Sequence, residues 1–220
     1  MNVDQNTTLA DLRRQIDSLD RTILDALARR FEITAHVAAT KNQGRTFRPG
    51  READLIGGLL KASQGAVDPR LIETLWRQII AFSLAGQKQL SIAHSGGDEI
   101  AQSARYRFGE VARYDHFDNT AALFDAVADG QVDLGVLPHW DDGDWWRDLV
   151  SRRKAGSALA IVAVTPLNPD SPIRRSVVIA DYMPDPSATD MTIIHENGTV
   201  ITRPGHHPDH PDILGIFQQH

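Results

Sequence analysis

From Leu9 onward, apolar residues recur every three or four positions. Leu9, Leu12, Ile16, Leu19, Ile23, Leu27, Thr34 and Val37 fall along one line. That period predicts a single long helix over residues 9–41, with Thr7 or Thr8 as its N-cap. Asp11, Asp17 and Asp20 lie early in it, as the helix dipole favours. Gly44, Pro49 and Gly50 break the pattern. A second helix is predicted from about Arg51. A third runs from about 69 to 89, capped by Asp68 with Pro69 at its first position. Leu71, Leu75, Ile79, Phe82 and Leu84 supply much of the third helix's apolar surface.

At Leu90 the pattern changes. SIAH, VARYD, VDLGVLP, LAIVAV and RRSVVIA are short apolar runs that read as strands, and AQSARYRFG and TAALFDAVADG between them read as helices. This alternation predicts a small α/β unit with a parallel sheet. HWDDGDWW reads as a loop packing on it. Asn197–Gly198 predicts a hairpin turn within MTIIHENGTVITR, and one more short strand falls near Ile213–Phe217. The expected organisation is an α+β multi-domain chain. An all-helical segment, 1–90, precedes an α/β segment, 91–220, with an irregular C-terminal tail.

Charge sharpens the division. Residues 1–90 carry a net charge of +3 and residues 91–220 a net −9. A cationic region within an acidic protein points to a small anionic ligand. No basic stripe with interleaved aromatics favours nucleic acid. There are no cysteines, so disulfides and thiolate metal sites are excluded. The start, MNVDQNTT, carries no signal-peptide core, and no apolar run approaches the roughly 20 residues of a membrane span. The expectation is a soluble, cytoplasmic chain.

Candidate chemistry sits on the helices. Arg30 and Lys41 are eleven residues apart and share a face, whereas Arg13 lies roughly 25 Å from Arg30 along the axis. One small ligand cannot easily meet Arg13 and Arg30 from a single helix, but two antiparallel copies could bring them together. On periodicity alone, a solvated basic face is the simpler reading. Ser83 and Gln87 share a face of the third helix. Arg51 and Glu52 open the second helix and point about 100° apart. GGDEI at Gly96–Ile100 is a weak match to a cyclase signature and is expected on a hairpin. His206, His207 and His210 are interrupted by proline and lack nearby cysteine, so a mobile tail is expected there rather than a metal site.

LRRQIDSLD, LARR, the lysine of AATK, PGREADL and IIAFSLAGQ, in that order and spacing, resemble the all-helical chorismate mutase family over residues 9–90. The resemblance implies an intertwined homodimer paired through the first helix, with no cofactor and no metal. It implies that Arg13 reaches the partner's site to bind one carboxylate of chorismate and Arg30 binds the other within its own subunit. Lys41 and Gln87 would hydrogen-bond the ether oxygen, Glu52 would accept from the ring hydroxyl, Ser83 would support a carboxylate, and Arg51 would line the pocket. Many members carry Asp where this chain has Arg48, which here would add a carboxylate contact instead.

The second half resembles, weakly, the first lobe of prephenate dehydratase. That family's catalytic motifs are replaced by GGDEIAQS after Ser95, by His139–Trp140–Asp141, and by Arg174–Arg175–Ser176. The resemblance implies a degenerate domain. The expected activity is the rearrangement of chorismate to prephenate in aromatic amino-acid biosynthesis. The alternatives are an isochorismate pyruvate lyase on the same scaffold and a non-catalytic binding or regulatory protein.

Overall fold

The computed structural model describes residues 8–40 and 45–219, with only the backbone at 38–40. It divides into two compact units, residues 1–44 and 45–220.

The first unit is α1 (Leu9–Thr40), 32 residues long. At 1.5 Å per residue it is a rod of roughly 48 Å. Thr8 caps it: Thr8 Oγ1 accepts from Asp11 N at 3.2 Å, and Thr8 N donates to Asp11 Oδ2 at 3.0 Å. This reciprocal pair satisfies two of the donors that a helix start leaves open. The apolar stripe is solvent-exposed. Leu9, Ile16, Leu19, Ile23, Leu24 and Ile33 are each more than half accessible.

The second unit opens with α2 (Pro49–Ser63) and α3 (Pro69–Ala85). Asp68 caps α3 as expected, accepting from Arg70 N at 2.8 Å. Of the residues expected to supply much of the apolar surface of α3, Ile79 is buried and Leu71, Leu75 and Phe82 are exposed, while Ile72, Ile80 and Ala81 are buried beside Ile79.

There follow β1 (Ser91–His94), α4 (Asp98–Phe108), β2 (Arg113–His116), α5 (Thr120–Ala128), β3 (Leu134–Pro138), α6 (Trp146–Lys154), β4 (Ala160–Thr165), β5 (Ser176–Ala180), β6 (Asp190–Glu196), β7 (Thr199–Pro204) and β8 (Ile213–Gln218). The strands form one sheet in the order β2-β1-β3-β5-β4-β8-β6-β7.

The sheet is mixed, which corrects the expectation of a parallel one. β2, β1 and β3 run parallel, as do β4 and β8, but β5 is antiparallel to both its neighbours. The cause is the connection before β5. Pro166–Arg175 is too short and too proline-rich to hold the crossover helix that a parallel return needs. Asn197 and Gly198 have φ of 51° and 80°, the left-handed pair that the β6–β7 hairpin requires. HWDDGDWW is only partly loop, since Trp146 begins α6. GGDEI is not on a hairpin: Gly97 precedes the first residue of α4 in a strand-to-helix turn.

Both faces of the sheet are covered. α5 and α6 bring Leu123, Phe124, Trp146 and Leu149 against Leu137, Ile161, Val177 and Ile179. On the other face α4 and Phe47 bring Ile100, Ala104 and Phe108 against Ile92, Val136 and Val178. Central strands covered on both sides read as continuous apolar runs, as SVVIA does. The expected division at residue 90 marks a change of element type. By packing, α2 and α3 belong with the sheet: α3 lies on α4 and α2 on β8.

Candidate functional site

Among the expected site residues, Glu52 has the most structured surroundings. It lies in the first turn of α2 and is 8% exposed. Its Oε2 accepts from Arg77 Nη1 at 3.2 Å and lies 2.8 Å from Arg107 Nη2 in an ion pair. Arg77 Nε stands 3.7 Å from Glu73 Oε1, one turn back on α3. Glu73 in turn accepts from Leu167 N at 2.7 Å and Asn168 N at 3.0 Å. Two carboxylates thus face two guanidiniums, and all four side chains are buried. Removing any one would leave an uncompensated buried charge.

Satisfaction is incomplete. Among the described residues, Glu52 Oε1 and Arg107 Nε and Nη1 are buried without hydrogen-bond partners. Glu52 and Arg107 line a cavity of about 10 Å³, walled by Ile80, Leu84, Leu90 and Phe108. That is room for a single water. Burial pushes Glu52 up to about 7, against the pull of Arg77. In return, the Glu52 charge adds to the burial that raises the Tyr182 phenol.

Arg77, Glu73 and Arg107 were not among the residues expected from the sequence. A signal existed for two of them. Glu73, Arg77, Ile80 and Leu84 step by four, three and four along α3, so a charged pair continues an apolar line. Arg107 gives no comparable local sign, because its partners come from other helices.

The other expected residues are dispersed. Ser83 is buried and its Oγ donates to Ile79 O at 2.8 Å. Gln87 is exposed and its Nε2 donates to Ser83 O at 3.4 Å, so these two do meet at the end of α3. Arg51 is exposed on α2. Arg48 Nε donates to Asp185 Oδ2 at 2.7 Å. Arg13 is exposed on α1, and Arg30 is partly buried, which lowers its pKa. Lys41 lies outside the described residues. The α1 cations belong to the first compact unit and the others to the second.

The substituted motifs of the second half gather at one end of three adjacent strands, β1, β3 and β5. Ser95 follows β1, His139 follows β3, and Arg174 and Arg175 precede β5. His139 is buried, stacked on Trp140 at 3.8 Å, and pushed down to about 4 by burial and by Arg175. Arg174 Nη2 pairs with Asp142 Oδ1 at 2.7 Å, and Ser176 shares a hydrogen bond with Ser103. The histidine tract is engaged locally: His206 Nδ1 lies 2.6 Å from Asp190 Oδ2, and His210 Nδ1 accepts from Asp212 N. Among the described residues no cluster of His, Asp or Glu is arranged to hold a metal ion, and no helix is long and apolar enough to cross a membrane.

Comparison with known proteins adds an independent line. Residues 12–88 match the family described as chorismate mutase type II. The bifunctional chorismate mutase/prephenate dehydratase of Pseudomonas aeruginosa is 30% identical over 146 residues, covering 59% of this chain and 38% of that protein. That match is longer than the helical segment, so it extends into the sheet. The T-protein of Enterobacter agglomerans is 35% identical over 82 residues, 36% of this chain and 22% of that protein. A solved prephenate dehydratase from Streptococcus mutans superposes with a TM-score of 0.37 at 12% identity, covering 60% of this chain and all of that one, a likeness too loose to carry any inference. The chain spans about two-fifths of the length of the bifunctional relative.

Proposed function

We propose that residues 12–88, which match the chorismate mutase type II family, are the catalytic part of a chain that rearranges chorismate to prephenate as a cytoplasmic enzyme of aromatic amino-acid biosynthesis. The observation that carries the reading is that the family match spans all three helices that bear the candidate residues.

The reaction is a unimolecular Claisen rearrangement. The substrate is a dianion that must be held in its compact, pseudo-diaxial shape while negative charge grows on the ether oxygen. Arginine suits the carboxylates because its planar fork binds them in a bidentate manner. Arg30 takes one carboxylate and Arg13 of a second subunit takes the other, which fixes the reactive conformer. Ser83 supports a carboxylate, and Arg51 and Arg48 add positive potential at the rim. Lys41 and Gln87 donate to the ether oxygen, an interaction that strengthens in the transition state. Glu52 accepts from the ring hydroxyl, and its Oε2 is held by arginine. No nucleophile or cofactor enters this scheme.

The exposed stripe of α1 supports the homodimer, since a rod of this length with an uncovered apolar face is unstable by itself. The 1–90 segment acts as the mutase module, and residues 91–220 as a degenerate dehydratase-like domain without dehydratase activity. His139 and Ser176, which are buried, and Arg174, which is paired with Asp142, support that second reading.

Loss of chorismate absorbance, measured alongside salicylate release from isochorismate, tests the proposal. Chorismate consumption without salicylate release is expected. Salicylate release would assign the lyase, and inactivity toward both would leave a binding protein.

A further inference from the structure

Glu52 sits on α2 of the mutase domain, but the shorter of its two ion pairs comes from outside that domain. Arg107 lies in the last turn of α4, beyond residue 88. Its Nη2 is 2.8 Å from Glu52 Oε2, whereas Arg77 of α3 stands at 3.2 Å. Arg107 is itself fixed. It is 4% exposed, and its guanidinium lies 5.2 Å from the ring centre of Phe47 and 5.8 Å from that of Phe108. Phe47 and Phe108 pack edge-on at 5.4 Å. Gly109, which ends α4, closes this contact: a Cβ there would stand 2.9 Å from Ala81 Cβ on α3.

The hydrogen-bond inventory of Glu52 is lopsided. Oε2 accepts from Arg77 and is ion-paired with Arg107, and Oε1 has no donor among the described residues. A carboxylate gripped at one oxygen cannot rotate freely, and its other oxygen keeps one direction. Glu52 borders the small cavity, which has room for one water, so Arg77 and Arg107 engage one oxygen and leave the other as the one open to a further donor.

We propose that Arg107 is a positioning residue for Glu52, so that the α/β unit supplies part of the mutase site and is not a passenger. The inference rests on the mutase reading above and adds to it the residue that orients the hydroxyl acceptor. The groups that face Glu52 are Arg77 and Arg107 from α3 and α4, with Glu73 behind Arg77 and Tyr182 nearby. Of the two cations, only Arg107 comes from beyond the family match.

A double-mutant cycle of Arg107→Met and Glu52→Gln in the full-length chain tests it, read both by thermal melting and by chorismate kinetics across pH. Arg107→Met is expected to lower kcat/KM at least tenfold and to move the acid limb of the rate upward by more than one pH unit, because a buried carboxylate has lost a cation. Arg107→Lys is expected to recover part of both. In a Glu52→Gln background the Arg107 effect on turnover should vanish, and the two melting shifts should be non-additive. Arg105→Gln, an exposed change on the same helix, should leave the rate unaltered. Additive melting shifts, or a folded Arg107→Met or Arg107→Lys chain with a wild-type rate and pH profile, would overturn the inference. A wild-type chain with no chorismate turnover would instead refute the mutase reading, an outcome distinguishable from an active wild type indifferent to Arg107.

Discussion

Glu73 has no place in the proposed chemistry, yet it is among the most constrained side chains of the second unit. It is 1% exposed, holds two backbone amides of the loop after β4, and faces Arg77. Glu73→Ala would orphan those amides and leave Arg77 short of negative charge in a buried setting. A loss of about 3–5 kcal/mol is expected, seen as a fall in the denaturant midpoint. Glu73→Gln keeps the size and should cost less. Lys41 makes the opposite case. Lys41→Ala should abolish turnover without changing the far-ultraviolet circular dichroism, since the interaction proposed for it is with the transition state. A wild-type rate in that variant would remove Lys41 from the mechanism. Glu52 links charge to pH. With its value pushed up to about 7, the ionised acceptor is lost below neutrality, and kcat/KM should fall on the acid side near pH 7. The sign for stability is the reverse. A carboxyl raised above its ordinary 4.5 contributes stability fully below about pH 4.5, and that contribution is lost as pH rises through about 7. The wild-type melting temperature should therefore decline across that window more than that of Glu52→Gln.

At the level of elements, the contact between α3 and α4 decides whether Arg107 can reach Glu52. Gly109 has φ of 69°, a left-handed conformation, and its missing Cβ is what lets Ala81 approach. Gly109→Ala adds backbone strain of about 1–2 kcal/mol together with an overlap against α3. It is expected to lower the melting temperature and to weaken chorismate turnover in the same direction as Arg107→Met. Much of this level was legible in the sequence. The period of α1, the Asp68–Pro69 start of α3 and the Asn197–Gly198 turn are local signals, and each element formed where local chemistry put it. What was not legible depends on partners far along the chain. β5 runs antiparallel because its preceding loop cannot cross the sheet. WRDLVSRRK is a helix whose polarity hid a single buried line, Trp146 and Leu149. Glu52 was readable as a candidate from PGREADL, but its guanidinium partners lie 25 and 55 residues further along the chain, and no local pattern announces such a pairing.

For the whole molecule, the unresolved balance is in α1. Its stripe of leucines and isoleucines is uncovered, and each such side chain, if buried, is worth roughly 2 kcal/mol. A second copy running antiparallel would cover that line and would bring Arg13 of one chain toward Arg30 of the other, two cations that one helix holds roughly 25 Å apart. The two consequences are separable by experiment. Ile16→Asp with Ile23→Asp places charges in the middle of the line and should convert a sedimenting dimer into monomers with reduced helicity and no turnover. Arg13→Ala and Arg30→Ala should leave the dimer intact, since neither residue belongs to the apolar line, while each alone removes a carboxylate clamp from both sites. Co-expressed as a heterodimer, the two variants generate one site lacking both arginines and one site lacking neither. Activity should then return to about half the wild-type value per hybrid dimer, measured on dimers isolated with two different affinity tags. If tagged heterodimers stay inactive, Arg13 serves its own subunit. The stripe would then be a surface for assembly alone.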